Sequence, residues 1–277
     1  MKRGRFFALA AAAAFLTSCG GGSELAGTPA DNAHPSSSAG GLTLLSAFTA
    51  RDDATGALVH ILPPRSVLTA LRNVHGAHQT LSTNNLVYSG GPVQYSAAMQ
   101  IVYWGSAWTT KSGDPDGVMS RLAAFCKGVG GGLWLNTVTQ YKDSNGFNAY
   151  NGGSICGRSY VDTTSQPPPN PSQAQLAAEA FSAAVRIGVG KQIVVSNYVV
   201  ALPHGIVPVG FISTYCAYHS TTTLGPGGPP IAWTNLPYMP DAGPDCGAGL
   251  VNNPGTLDGV TIVAGHEQAE TETDPIP

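Results

Sequence analysis

Gly265-His266-Glu267-Gln268-Ala269-Glu270 is the stretch on which the reading of this chain turns. On a helix, His266 and Glu270 stand one turn apart and share a face. An imidazole nitrogen and a carboxylate oxygen so placed suit one zinc ion, and Glu267 beside them suits the activation of a metal-bound water. The pattern is H-E-x-x-H with glutamate in place of the second histidine. Ile262 lies on the same face, so the pair is expected to look inward. The helix is expected over Thr256 to Thr273, stopped by Asp274-Pro275.

The charge on this helix is unusual. Glu267, Glu270, Glu272 and Asp274 place a quarter of the chain's 16 acids within eight residues, at a helix end where the macrodipole disfavours negative charge. A bound cation would offset the repulsion; a frayed, solvated acidic end is the plainer alternative. His219, in Cys216-Ala217-Tyr218-His219-Ser220, ends an expected strand and is a candidate third ligand or oxyanion-stabilising group, against the reading of a strand-end histidine bonded to backbone. His75 and His78 have i, i+3 spacing but lie in a weakly patterned region. Asp241, Asp245 and Asp258 are candidates for a calcium site shared with the helix acids, since hard oxygen ligands suit that ion; Asp/Asn/Gly-rich turns explain them equally well.

Outward from the helix, the pattern is one of alternating strands and helices. Met99 to Trp104 is an apolar run suited to a buried strand. Asp114 and Pro115 resemble a helix cap and first-turn proline before Val118, Leu122, Phe125 and Cys126, with Gly130-Gly131-Gly132 as the stop. Ser172 with Gln175 reads as a capping box ahead of a stripe of Leu176, Ala177, Ala180, Phe181, Ala184 and Val185 that fades at Gly188. Gln192 to Val200, Val209 to Tyr218 and Ile231 to Leu236 read as strands. The fold class expected is mixed α/β (α+β), one domain over residues 84–277, with a mixed sheet and a C-terminal site helix. Leu42 to Thr83 fits a short N-terminal subdomain or a pro-region.

The first 41 residues read as export machinery. Lys2, Arg3 and Arg5 precede an apolar run, Phe6 to Leu16, too short to span a bilayer. Leu16-Thr17-Ser18-Cys19 looks like a bacterial lipobox with Cys19 as the lipidated residue; an ordinary secretory signal with a stray cysteine is the alternative. Residues 20–41 are Gly, Ser, Ala and Pro-rich and read as a tether. The expected place is the cell envelope, as an outer-membrane lipoprotein, or the exterior, with membrane contact through the lipid alone. Excluding Cys19, Cys126, Cys156, Cys216 and Cys246 remain, an even count that suggests two disulfides among three possible pairings. No C-x-x-C spacing supports a cysteine zinc site. Charged residues are 10% of the chain, and without the three signal cations ten basic face sixteen acidic residues, a net of about −6. No basic patch is interleaved with aromatics, which argues against nucleic acid as a partner. There is no G-x-S-x-G elbow, Walker loop or G-x-G-x-x-G after a strand.

Several segments together resemble the EXORDIUM-like, or phosphate-induced-protein, family. They are Gly90-Gly91-Pro92-Val93 leading to Ile101-Val102-Tyr103-Trp104-Gly105, the Phe211 to His219 segment, Ala232-Trp233-Thr234-Asn235-Leu236-Pro237-Tyr238, and Asp241-Ala242-Gly243 leading to Cys246-Gly247. The closest match runs from Gly255-Thr256-Leu257-Asp258-Gly259 into His266-Glu267-x-Ala269-Glu270-x-x-Thr273-Asp274-Pro275. The resemblance covers Asn84 to Pro277. It implies an extracytoplasmic protein with a zincin-like helix. Family members continue past the Asp-Pro with a Trp-containing turn and an acidic, cysteine-bearing segment, so it also implies a chain truncated after Pro277, with a further ligand and a cysteine partner beyond it. The function expected is metal-assisted hydrolysis of a peptide or cell-wall-associated substrate, with His266 and Glu270 as ligands and Glu267 as general base. The rival expectation is a non-catalytic surface protein whose acidic helix is structural or binds calcium.

Overall fold

The computed structural model describes residues 42–188 and 196–277, apart from short gaps at 47, 53–55, 57, 76–87, 89 and 226. The expected signal, Cys19 and tether lie outside the described residues, as does His78.

One eight-stranded mixed sheet organises the chain. Its strands are β1 (Leu42–Ser46), β2 (Thr49–Asp52), β3 (Leu58–Leu62), β4 (Ala98–Trp104), β5 (Cys156–Asp162), β6 (Ser196–Ala201), β7 (Ala217–Thr223) and β8 (Pro230–Leu236), in the order β1-β2-β3-β7-β8-β6-β4-β5. β8, β6, β4 and β5 run parallel, while β7 is antiparallel to β8 and β3 to β7. The mixed α/β class read from the sequence is therefore correct. β4 and β6 are the central parallel strands, and their continuous apolar runs are buried almost throughout, as strands covered on both faces require.

Among the described residues there are four α-helices: α1 (Arg65–His75), α2 (Val118–Val129), α3 (Gln173–Ile187) and α4 (Asp258–Thr273). α3 packs on β6, β8, β7 and β4, and α4 packs on α2, β7, β8 and β3. The Ser172/Gln175 capping box forms in full, with each side chain meeting the other residue's backbone N–H. Gly188 closes α3 as expected. Its buried face is shifted, however: Ala183 and Glu179 are inside, whereas Val185 is 56% exposed. At α2 the cap is Gly117, and Asp114 acts from further back, its carboxylate accepting the N–H groups of Val118 and Met119.

The strand expected over Val209 to Tyr218 begins only at Ala217. Residues 209–215 form a turn instead, with Gly210 at φ 92° and Ile212 at φ 68°. Phe211 and Tyr215 are buried there as turn anchors, so β-branched and aromatic composition reported burial rather than extension. β5 and the β1–β3 meander carried no clear periodicity. β3 extends the same sheet that holds the parallel strands, across the boundary read at residue 84.

All four remaining cysteines pair. Cys126–Cys156 ties α2 to the start of β5, and Cys216–Cys246 ties the residue before β7 to the segment ahead of α4. The latter segment lies so close to α4 that a Cβ on Gly259 would collide with the Cys246 carbonyl oxygen. α4 is thus packed inside, and every residue from Val263 to Asp274 is buried.

Candidate metal centre

α4 has no ordinary apolar stripe; its polar side chains go into the core. Gln268 and Glu272 make a buried ladder there. Gln268 Nε2 donates to Glu272 Oε1 at 2.9 Å, Asn197 Nδ2 on β6 donates to Gln268 Oε1 at 3.1 Å, and Thr234 Oγ1 on β8 donates to Asn197 Oδ1 at 3.0 Å. This ladder fixes the rotation of α4 on the sheet. With that rotation set, Glu267 and Glu270 meet His219 on β7.

His219 on β7 is fully buried and stands between two carboxylates. Its Nδ1 is 3.3 Å from Glu270 Oε2 and 3.6 Å from Glu267 Oε2. Its Nε2 is 3.2 Å from the Asp274 carbonyl oxygen. A carbonyl cannot donate, so Nε2 carries a proton, and Nδ1 is the nitrogen that faces the two acids. Two carboxylates around one nitrogen repel unless positive charge sits among them. His60 on β3 comes from the other side, its ring edge-on to His219 with centroids 5.2 Å apart. His60, His219 and Glu270 offer ligand atoms within 4.8 Å of one another, a group able to hold a metal ion. Among the described residues it is the one such set of three.

His266 takes a different place. Its Nε2 is 3.0 Å from Glu270 Oε1, the oxygen turned away from His219. Glu270 is thereby held from both sides. Glu267 is wholly buried, and neither of its carboxylate oxygens has a hydrogen-bond partner. His219 Nδ1, Glu270 Oε2 and both ring nitrogens of His266 are likewise buried without a well-aligned hydrogen bond. Short contacts that miss hydrogen-bond geometry are what atoms sharing an ion make, and groups left this way without one are costly.

The electrostatics of the cluster follow from burial and the mutual charge of its members. Burial works against charge on His219, but its contacts with Glu267 and Glu270 outweigh that and push its pKa up to about 10. His266 is raised as well: burial opposes it, and the neighbouring charge of Glu270 wins. Burial would raise Glu270, yet His266 and His219 hold it well below the usual carboxylate range. For Glu267 burial prevails and its pKa is raised. The ion-pair partners of Glu267 and Glu270 among the described residues are histidines alone, so the centre draws positive charge that no Lys or Arg supplies.

Of the residues singled out in the sequence, His219, His266, Glu267 and Glu270 come together. The missed member is His60, in Leu58-Val59-His60-Ile61-Leu62. Its one local signal is a histidine amid an apolar run. Asp241, Asp245 and Asp258 do not join the helix acids. Asp241 accepts from His204 Nδ1 at 2.6 Å and Gly205 N at 2.9 Å. Asp258 accepts the N–H groups of Val251 and Asn252, which lowers its pKa and organises the turn before α4. Comparison with family models, with curated proteins and with solved structures finds no match to this chain.

Proposed function

We propose that this chain is an extracytoplasmic zinc-dependent hydrolase acting on peptide bonds, anchored to the cell envelope through Cys19. One observation carries the reading. Two imidazoles and one carboxylate form a group able to hold a metal ion, and a glutamate without a hydrogen-bond partner lies beside it. Two histidines and a glutamate are a donor set of catalytic zinc, and three protein ligands leave a position for reactants. Two nitrogen donors in three suit zinc better than calcium, which takes six to eight oxygens. The H-E-x-x-E helix and the EXORDIUM-like motifs support the extracytoplasmic, zincin-like part.

Zinc held by His60, His219 and Glu270 would supply Lewis acidity, polarising a carbonyl and acidifying a water. The chain's residues do the rest. Glu267 accepts the proton and hands it to a leaving amine. The Asp274 carbonyl fixes the His219 tautomer so that Nδ1 faces the centre. His266 steadies Glu270 through Oε1.

A second reading has its own observation: Glu267 and His219 are both 0% exposed. A closed site suits a structural ion that staples β3 to α4 in a non-catalytic surface protein. The experiment that separates the two uses the full-length lipoprotein with zinc measured by elemental analysis. The hydrolase reading expects one zinc per chain and hydrolysis of a quenched peptide library. Glu267→Gln should keep the zinc and lose roughly 10²–10⁴-fold of the rate. Zinc without hydrolysis in the parent would leave the structural role, and absence of zinc would end both.

A further inference from the structure

We infer that Asp274 is a positioning residue of the metal centre, with its carbonyl bonded to His219, its carboxylate beside His60, and its place at the end of the helix that carries Glu270. The inference rests on His60, His219 and Glu270 being the ligands. Its N–H donates to the Glu270 carbonyl at 2.7 Å. Its carbonyl accepts from His219 Nε2 at 3.2 Å. Its carboxylate Oδ2 lies 3.9 Å from His60 Nδ1.

The three ligands sit on three elements, β3, β7 and α4, that no local stretch of sequence connects. Asp274 stands where α4 ends, beside the histidines of the other two elements. Asp274 leaves the helix at φ −142°, ψ 71°, which turns its carbonyl out of the helical ladder and toward β7. Pro275 removes the next N–H and disfavours helical backbone at the residue before it, which keeps that exit in place. Asp274 is only 3% exposed, so its carboxylate lies inside with the imidazoles.

The chemistry of the two histidine contacts differs. At His219 the backbone carbonyl takes the Nε2 proton and leaves Nδ1 for the ion. At His60 the carboxylate lies 3.9 Å from Nδ1, beyond hydrogen-bond reach, and its negative charge favours a proton on that nitrogen, which would leave Nε2 for the ion. The two rings are perpendicular, at 90° between planes. One residue thus faces a ring nitrogen of each. Metal-ligating histidines characteristically have such an outer-shell acceptor, and losing it costs about 10–100-fold in metal affinity. The side chain acts on His60 alone, while the backbone groups act on His219 and Glu270, so side-chain substitution separates the arms.

The test uses the full chain, zinc as the probe, and Asp274→Ala beside Asp274→Asn. Zinc affinity is measured by competition with a chromophoric chelator, and imidazole tautomers of the zinc-loaded protein by long-range nitrogen–proton NMR. In the parent, His60 should carry its proton on Nδ1 and His219 on Nε2. Asp274→Ala should lose about 10–100-fold in zinc affinity, with His219 unchanged. Asp274→Asn, whose amide oxygen still accepts, should recover part of that affinity and restore the His60 tautomer. A purely structural side chain would leave the tautomers alone and lower the melting temperature equally with and without zinc. That result, or an alanine variant within threefold of the parent in affinity, overturns the inference while the zinc reading stands. A parent that takes up no zinc overturns both. If the alanine variant does not fold, the asparagine variant decides: parental tautomers with a measurable affinity loss support the role, and the opposite His60 tautomer in the parent removes it.

Discussion

His60 and His219 stand directly opposite each other on β3 and β7, with their ring planes at right angles. Antiparallel partners across a ladder have Cβ atoms about 4.5–5.5 Å apart, so pairing alone brings the second imidazole to the first. The N-terminal meander is therefore part of the candidate centre rather than an appendage to it.

Substitution at His60 tests that relationship. His60→Ala should weaken zinc binding by more than the roughly 10–100-fold of an outer-shell change, because a ligand is lost. His266→Ala should fall in the outer-shell range, since His266 meets the far oxygen of Glu270. Zinc titration of both variants checks the order; equal losses would place His266 among the ligands.

The two disulfides should separate in their effects. Each closes a loop of sequence separation 30, for which chain entropy predicts roughly 3–4 kcal/mol. Replacing Cys216 and Cys246 by serine should also weaken zinc binding, because Cys216 lies three residues before His219 and directly precedes the strand that carries it. Replacing Cys126 and Cys156 should lower stability with little change in affinity. Thermal melts and zinc titrations on the two double variants measure both quantities.

A pH effect is expected away from the centre. Glu179 on α3 is buried beside Asp162, the last residue of β5. Burial first, then the Asp162 charge, push its pKa up to about 7 from 4.5. A raised carboxyl binds its proton more tightly in the folded chain, so the stability it contributes is greatest below pH 4.5 and declines toward pH 7. The decline is on the order of 3 kcal/mol at most, and Glu179→Gln should remove it. Denaturant melts of parent and variant between pH 4 and 8 check this; parallel pH profiles would exclude it.

Packing at the start of α4 gives a last expectation. Gly259→Ala should cost about 1–3 kcal/mol through overpacking, because the added methyl meets the Cys246 carbonyl, which is backbone held by a disulfide. The melting temperature should fall, and zinc affinity should fall with it as α4 is displaced. An unchanged melting temperature would show that the segment can yield.

By itself the sequence determined what neighbours along the chain encode. The Ser172–Gln175 box, the apolar runs of β4 and β6, and the one-turn spacing of His266 and Glu270 are patterns over a few residues. Local steric and hydrogen-bond rules fix them wherever they occur. The even cysteine count likewise bounded the disulfides, though not their pairing. Tertiary structure alone decided that His60 faces His219, since β3–β7 pairing joins positions with no local signal between them. It also decided that Val209 to Tyr215 turns rather than extends, because burial of Phe211 and Tyr215 is met by the left-handed backbone at Gly210 and Ile212. Above all it decided which way α4 faces. The helix has no apolar stripe, and only the Gln268–Asn197–Thr234 ladder on the sheet turns its acids toward the two histidines.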